Sequence, residues 1–275
     1  MARIRILFIG DVVGEYGRAL FAKHINTIME EHQIDGLVVN GENSSDYGKG
    51  TTSRTVQFFK QYGANVITSG NHIWDQKEIY NYISEHDDLL RPANFPAGTP
   101  GTGITFFQIN EHVVCIINLQ GRVFMRENLD CPFRSAQSLL SYARSRTPII
   151  FVDFHAEATS EKEGLGYFLD GKISGLVGTH THVQTADERI LPGGTGYITD
   201  LGMAGALNSM LGMTKEPIIE RFLTQMPHRF VVDTNPPGIL NGVWIEVDTT
   251  TGKATDIQRV AVRDETRLIA EKKDR

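Results

Sequence analysis

Cysteine, long apolar runs and excess positive charge are what this chain has least of. Its 275 residues include two cysteines, Cys115 and Cys131, with no CxxC pairing. That spacing offers no disulfide framework and no thiolate zinc site, and it fits a reducing compartment. Cys115 lies inside the apolar run VVCIIN, where a buried free thiol is expected. No stretch reaches the ~18 consecutive apolar residues that a membrane span requires. The basic residues of MARIRILFIGDVV precede an apolar run, but the run breaks at Asp11 and no small-residue cleavage pattern follows. No signal peptide is therefore expected, and a cytoplasmic protein with no membrane partner is. With 33 acidic and 27 basic residues the formal net charge is −6, which argues against stable DNA binding through a basic surface. A small nucleotide substrate remains open, because a bound metal ion supplies positive charge locally. Repeats, low-complexity segments and linkers are absent too, so residues 1–275 are expected to form one domain. A homo-oligomer is compatible with the sequence.

What is present is an alternation of short apolar runs and amphipathic stretches. Residues 4–9 form a continuous apolar run, expected as a buried strand. Residues 18–31 carry Leu20, Phe21, Ile25, Ile28 and Met29 at helical spacing, and residues 36–40 read as a second strand. This β-α-β start implies parallel strands with ligands gathered at one edge. Helices are expected at 53–62, 75–83, 133–146 and 161–169, and strands at 64–68, 148–154 and 174–177. Residues 104–109 and 113–119 flank Asn110-Glu111-His112 and read as an antiparallel hairpin. Residues 193–238 are rich in Gly, Pro and Met, with a helix expected at 216–223, and read as a lid or insertion. A second hairpin is expected from 243–247 and 257–262, followed by a charged helical tail. The fold class is α/β, a core of mixed strands flanked by helices.

Five apolar runs end in polar residues that can bind a metal. FIGD ends at Asp11, VVNGEN at Glu42 and Asn43, ANVITSGNH at Asn71 and His72, IIFVDFH at His155, and LVGTHTH at His180 and His182. Singly, each has an ordinary explanation. Asp11 suits a turn, Asn71-His72 a helix cap, and His155 a core position. Five strand ends of this kind in one chain are better explained as one site. If residues 180–182 are extended, His180 and His182 project the same way and face it together. His24, His32, His86 and His112 sit in helix or turn positions with no such context, and His228 is a weak candidate beside Pro227. Carboxylate, carboxamide and imidazole donors without thiolate suit Mn, Fe or Zn. The set is too large for one ion and suits a pair, which is phosphoester chemistry. Arg91, Arg122 and Arg134 lie where either a phosphate or a salt bridge would occupy them.

The order Asp, GEN, GNH, His, GTHTH resembles the calcineurin-like metallophosphoesterases. FIGDVVG with NGEN, together with RPANFP, NLQGRVFM and TDLGMAG, is closest to the YmdB-type bacterial branch of cyclic-nucleotide phosphodiesterases. Two motifs depart from the broad superfamily. Val13 stands where Asp-x-His would place its His, and Glu42-Asn43 stand where GDxxD is usual. The resemblance implies a dinuclear metal site at the carboxyl ends of the strands. Asp11, Glu42, Asn43 and His182 would hold one metal, with the Asn43 carboxamide in place of the missing imidazole. Glu42, Asn71, His155 and His180 would hold the other, with Glu42 bridging. It further implies that a metal-bridging hydroxide opens a 2′,3′-cyclic nucleotide, or a 3′,5′-cyclic one, while His72 acts as general acid. Asp75 is placed either to orient that imidazole or simply to favour a helix start. Two other readings stay open: a phosphomonoesterase or nuclease on the same scaffold, and a non-catalytic nucleotide- or RNA-binding regulator. A dinucleotide-binding reading of FIGDVVG fails, because Gly10 to Gly14 is not GxGxxG and Asp11 would repel a pyrophosphate.

Overall fold

Alternation along the first strand decides the layering. In β1 (Arg3–Ile9), Ile4, Ile6 and Phe8 turn to one side, and Leu7 and Ile9 turn to the other. All are buried, so the strand is covered on both faces: a second sheet on one, helices on the other. The computed structural model describes residues 2–268. The helical tail expected at the end of the chain lies, from residue 269 on, outside the described residues.

The first sheet has seven strands. β4 (Val66–Thr68), β3 (Gly36–Asn40) and β1 are parallel neighbours. β12 (Gly238–Asp248) runs antiparallel to β1, with β13 (Ala254–Asp264) on its other edge. β11 (Met203–Ala206) takes the start of β12 that β1 leaves unpaired, and β2 (Asp11–Val12) joins β11. The second sheet runs β5 (Ile104–Ile109), β6 (His112–Gln120), β7 (Ile150–His155), β8 (Gly175–Thr179), β10 (Gly196–Ile198) and β9 (Arg189–Ile190). Its four central strands are parallel and its two edge pairs antiparallel. Both expected hairpins are present.

The sheets meet through Ile6, Phe8, Val38, Val243 and Ile245 on one side and Ile116, Phe151 and Val177 on the other. The rings of Phe8 and Phe151 lie 5.2 Å apart. Helices α1 (Gly14–Glu31) and α2 (Ser53–Gln61) cover the outer face of the first sheet through Phe21, Ile25, Val56 and Phe59. α4 (Pro132–Arg144) and α5 (Thr159–Leu169) cover the second through Ala136, Leu140, Leu165 and Leu169. Each such large apolar side chain contributes roughly 1.5–3 kcal/mol on burial. The layers are helix, sheet, sheet, helix.

Three expectations are corrected. α1 begins at Gly14, earlier than residue 18, because tight packing requires the glycines at its start. A Cβ on Gly17 would lie 2.2 Å from the Ala204 carbonyl oxygen. α3 (Ile79–Glu85) begins later than residue 75. The intervening turns are held by the His72 amide donating to Glu42 Oε1 at 2.7 Å and the Asp75 amide donating to the His72 carbonyl at 3.0 Å. Of the stretch 193–238 read as lid or insertion, residues 196–206 are core instead. Tyr197, Ile198, Met203, Ala204 and Ala206 are buried in β10 and β11. Residues 207–237 carry α6 (Lys215–Thr224), which has no buried residue.

Candidate metal centre

Between the sheets, the inward-facing positions change character at the carboxyl ends of the strands. Val38 gives way to Asn40, Val66 to Thr68, Ile116 to Asn118, Phe151 to Asp153 and His155, and Val177 to Thr179. All of these polar residues are buried. Buried polar groups need partners, so this rim is a network in which each member holds another.

The sequence-predicted donors converge at this rim. Around His155 Nε2 stand Glu42 Oε2 at 2.6 Å, His180 Nδ1 at 3.0 Å and Asn71 Oδ1 at 3.1 Å. Glu42, His155 and His180 form the group of potential metal ligands among the described residues. Beside it, His182 Nε2 accepts from Asn43 Nδ2 at 3.1 Å and lies 3.7 Å from Asp11 Oδ1. Close approach needs Gly70, where a Cβ would lie 2.1 Å from His155 Cδ2.

Each imidazole and carboxylate is anchored through its outer atom and turns the other toward the cluster. His155 Nδ1 is 3.0 Å from Thr179 Oγ1, whose hydroxyl donates to Asp153 Oδ1 at 2.8 Å. The hydroxyl proton being so used, Thr179 accepts from His155 Nδ1–H, and the Nε2 lone pair faces inward. His180 Nε2 lies 3.1 Å from Glu157 Oε2, which leaves Nδ1 inward. His182 Nδ1–H donates to the Leu211 carbonyl at 2.9 Å, which leaves Nε2 inward. Asp11 Oδ2 accepts the His180 amide at 3.1 Å, and Glu42 Oε1 accepts the His72 amide at 2.7 Å. Asp11 Oδ1 and Glu42 Oε2 are buried without a hydrogen-bond partner. Lone pairs that crowd one point repel unless a cation sits among them, so the residues fit a bound metal.

The electrostatics agree. Burial pushes the His155 and His180 imidazoles down to about 3, so both are neutral ligands near neutral pH. Burial also raises Asp11 and Glu42, against the pull of neighbouring histidines. A bound cation reverses that cost. Asp153, pushed up to about 7 by burial, accepts hydrogen bonds from Thr68, Thr179 and Asn40. His72 stands outside the cluster, partly exposed, with Nδ1 2.9 Å from Asp75 Oδ2.

Residues 180–182 are not extended as expected. His180 has φ +104° and His182 φ +64°, both left-handed, so the imidazoles face the two neighbouring halves of the cluster. Such strain persists only where surroundings over-determine it. Here Asp200, buried with Lys162 at 2.7 Å, takes the Thr181 amide on Oδ2 at 3.1 Å and the Gly202 amide on Oδ1 at 2.9 Å. Asp153, Thr179, Glu157, Lys162 and Asp200 escaped the sequence reading. Asp153 had a signal: it shares strand parity with Phe151 and His155. Arg91 is spent on the carbonyls of Pro92, Thr99 and Pro100. His24 pairs with Asp264 at 2.6 Å and His86 with the Tyr82 carbonyl at 2.9 Å, both away from the cluster.

A two-sheet sandwich between helix layers, with this donor set at its carboxyl rim, is the calcineurin-like metallophosphoesterase fold. A family model described as YmdB-like protein matches residues 7–260, and the chain belongs to that family. It is 50% identical over 262 residues to the 2′,3′-cyclic-nucleotide 2′-phosphodiesterase of Bacillus subtilis (strain 168), covering 95% of this chain and 98% of that one. A crystal structure of a novel phosphatase from Mycoplasma pneumoniae is similar at TM-score 0.90 and 35% identity, covering 98% of this chain and 96% of that chain. A hypothetical protein from Thermus thermophilus matches at TM-score 0.87 and 36% identity, covering 95% of this chain and 100% of that chain. No helix among the described residues is long and apolar enough to cross a membrane.

Proposed function

We propose that this protein is a dinuclear-metal phosphodiesterase that opens cyclic nucleotides, chiefly 2′,3′-cyclic ones. The observation that carries the reading is the anchoring pattern: each imidazole and carboxylate is held at its outer atom, and Asp11 Oδ1 and Glu42 Oε2 face the cluster with no hydrogen-bond partner. The activity named for the Bacillus subtilis relative supports the substrate class. Asp11, Glu42, Asn43 and His182 would hold one ion, and Glu42, Asn71, His155 and His180 the other. Oxygen and imidazole donors without thiolate favour Fe or Mn, with Zn as a third choice. When bound, the metal pair supplies positive charge against the phosphoryl oxygens and acidifies the attacking water.

The remaining work falls to the chain itself. Glu42 keeps the two halves in register, because its second oxygen is pinned by the His72 amide. That bond also places His72 next to the cluster. Asp75 takes His72 Nδ1–H, so Nε2 is the nitrogen offered to substrate. His72 delivers a proton from Nε2 to the departing ribose oxygen. In the 2′,3′-cyclic case water adds at phosphorus, the P–O2′ bond breaks and the O2′ oxygen is protonated, leaving a 3′-phosphate. The test is hydrolysis by metal-stripped protein, with and without added Mn²⁺ or Fe²⁺, of 2′,3′-cyclic AMP, 3′,5′-cyclic AMP and a phosphomonoester. Metal-dependent turnover led by 2′,3′-cyclic AMP is expected. Faster phosphomonoester hydrolysis, or none with both ions bound, contradicts the reading.

A further inference from the structure

Beside the candidate centre lies a groove of about 640 Å³ that the mechanism does not use. One wall is the loop after β3, with Tyr47 and Lys49. The other is the 207–237 segment, with Arg221, His228, Arg229 and Phe230. The two walls are clasped together, since a Cβ on Gly48 would lie 2.7 Å from both Met213 Cε and Val232 Cγ2. Both also abut the centre. The Lys49 carbonyl accepts Gln76 Nε2 at 2.9 Å, and Gly50 packs on the His72 carbonyl, 3.1 Å from where a Cβ would stand. On the opposite wall Leu211 supplies the carbonyl that holds His182.

The groove's chemistry runs against that of the whole chain. In a protein of net charge −6, the cations Lys49, Arg221 and Arg229 meet here beside His228, and none of the three pairs with a carboxylate among the described residues. The acid on the rim, Asp46, is already taken by Arg18 at 2.6 Å. Tyr47 is 70% exposed, and the Arg221 guanidinium sits 5.4 Å from the centre of the Phe230 ring. Unpaired cations interleaved with aromatic faces bind single-stranded nucleic acid: the cations take phosphates, and the rings stack on bases.

We infer that this groove holds the nucleotide preceding the scissile one, so that the protein acts on oligoribonucleotides whose 3′ end is a 2′,3′-cyclic phosphate. The inference rests on the phosphodiesterase reading above. The terminal nucleotide would lie at the metal centre, and the internucleotide phosphate would meet Lys49, Arg221 and Arg229. The next base would stack on Tyr47 or Phe230. The reaction balances as before: water is consumed, the P–O2′ bond breaks, the proton goes to O2′, and the strand is left with a 3′-phosphate.

The experiment compares kcat/KM for a triribonucleotide ending in 2′,3′-cyclic phosphate with that for 2′,3′-cyclic AMP. It is run on the native protein and on the doubly substituted Arg221→Glu/Arg229→Glu protein. Alongside it, binding of a fluorescent triribonucleotide 3′-phosphate is followed by polarisation. The native protein is expected to favour the trinucleotide by about tenfold or more, less so as salt rises. The double variant should lose that preference and the polarisation signal while turning over 2′,3′-cyclic AMP as before. Equal kcat/KM for both substrates, or a variant that slows both alike, overturns the inference and leaves the phosphodiesterase reading standing. Turnover of neither substrate contradicts that reading, and polarisation then decides the groove alone. Binding lost in the double variant supports it as a strand site, and no binding overturns it.

Discussion

The two halves of the candidate centre are built to different standards. Around His155 Nε2, Glu42, His180 and Asn71 approach to between 2.6 and 3.1 Å. The anchors behind His155 itself, Thr179 and Asp153, lie on core strands and are buried, while His180 leans on the half-exposed Glu157. Around His182 Nε2 the neighbours stand at 3.1 and 3.7 Å. The anchor there is a carbonyl of Leu211, which is 50% exposed and precedes a helix with no buried residue. The lesson is that preorganisation follows the depth of the supporting residues as well as the identity of the donors. The His155 half should bind its ion tightly. The His182 half should bind more weakly and respond to whatever moves residues 207–237.

The largest effect should come from Glu42, the residue proposed to bridge the halves. Glu42→Gln removes charge from both, so kcat/KM should fall by about 10³-fold or more, with both ions lost on dialysis. Elemental analysis that finds both ions retained would break the assignment. His72→Ala should lower kcat by about 10²-fold or more with metal content unchanged, since His72 lies outside both halves. Undiminished turnover would remove the general-acid role. Thr179→Val frees the His155 imidazole and leaves Asp153 short of a donor. Metal affinity should drop by about 10- to 100-fold in that half alone, read by chelator competition. The smallest effect is expected at Ser209, whose hydroxyl accepts the Gly212 amide at 2.8 Å and donates to the Ala206 carbonyl. Ser209→Ala should cost about 1 kcal/mol of stability in thermal melts and loosen only the weaker ion. If it loosens the tighter ion instead, the comparison is reversed.

The residues that converge at the rim were legible in the sequence because each follows an apolar run, and a strand end in an α/β sheet is where ligands collect. Asn71 and His155 come together across different sheets, yet both could be named from their own local context. The anchors were less legible for the opposite reason. Asp153 sits inside an apolar strand, where one polar residue looks like an interruption, Thr179 closes β8 as an ordinary strand residue, and the partners of both are remote in sequence. β10 and β11 were hidden because GYI and MAGA are short and Gly-containing, and only non-local pairing makes them strands. The turn at His180 and His182 was hidden because its left-handed backbone is imposed by Asp200, some twenty residues on. A pattern of alternation has no access to such a constraint.

The most direct test is a metal titration of stripped protein with Mn²⁺, counting bound ions and their affinities, repeated on Asn71→Ala and Asn43→Ala. Two ions per chain filling in two separable steps are expected. Asn71→Ala should weaken the tighter step and Asn43→Ala the looser one. A single ion, or two whose affinities fall together in both variants, would contradict a centre made of two unequal halves.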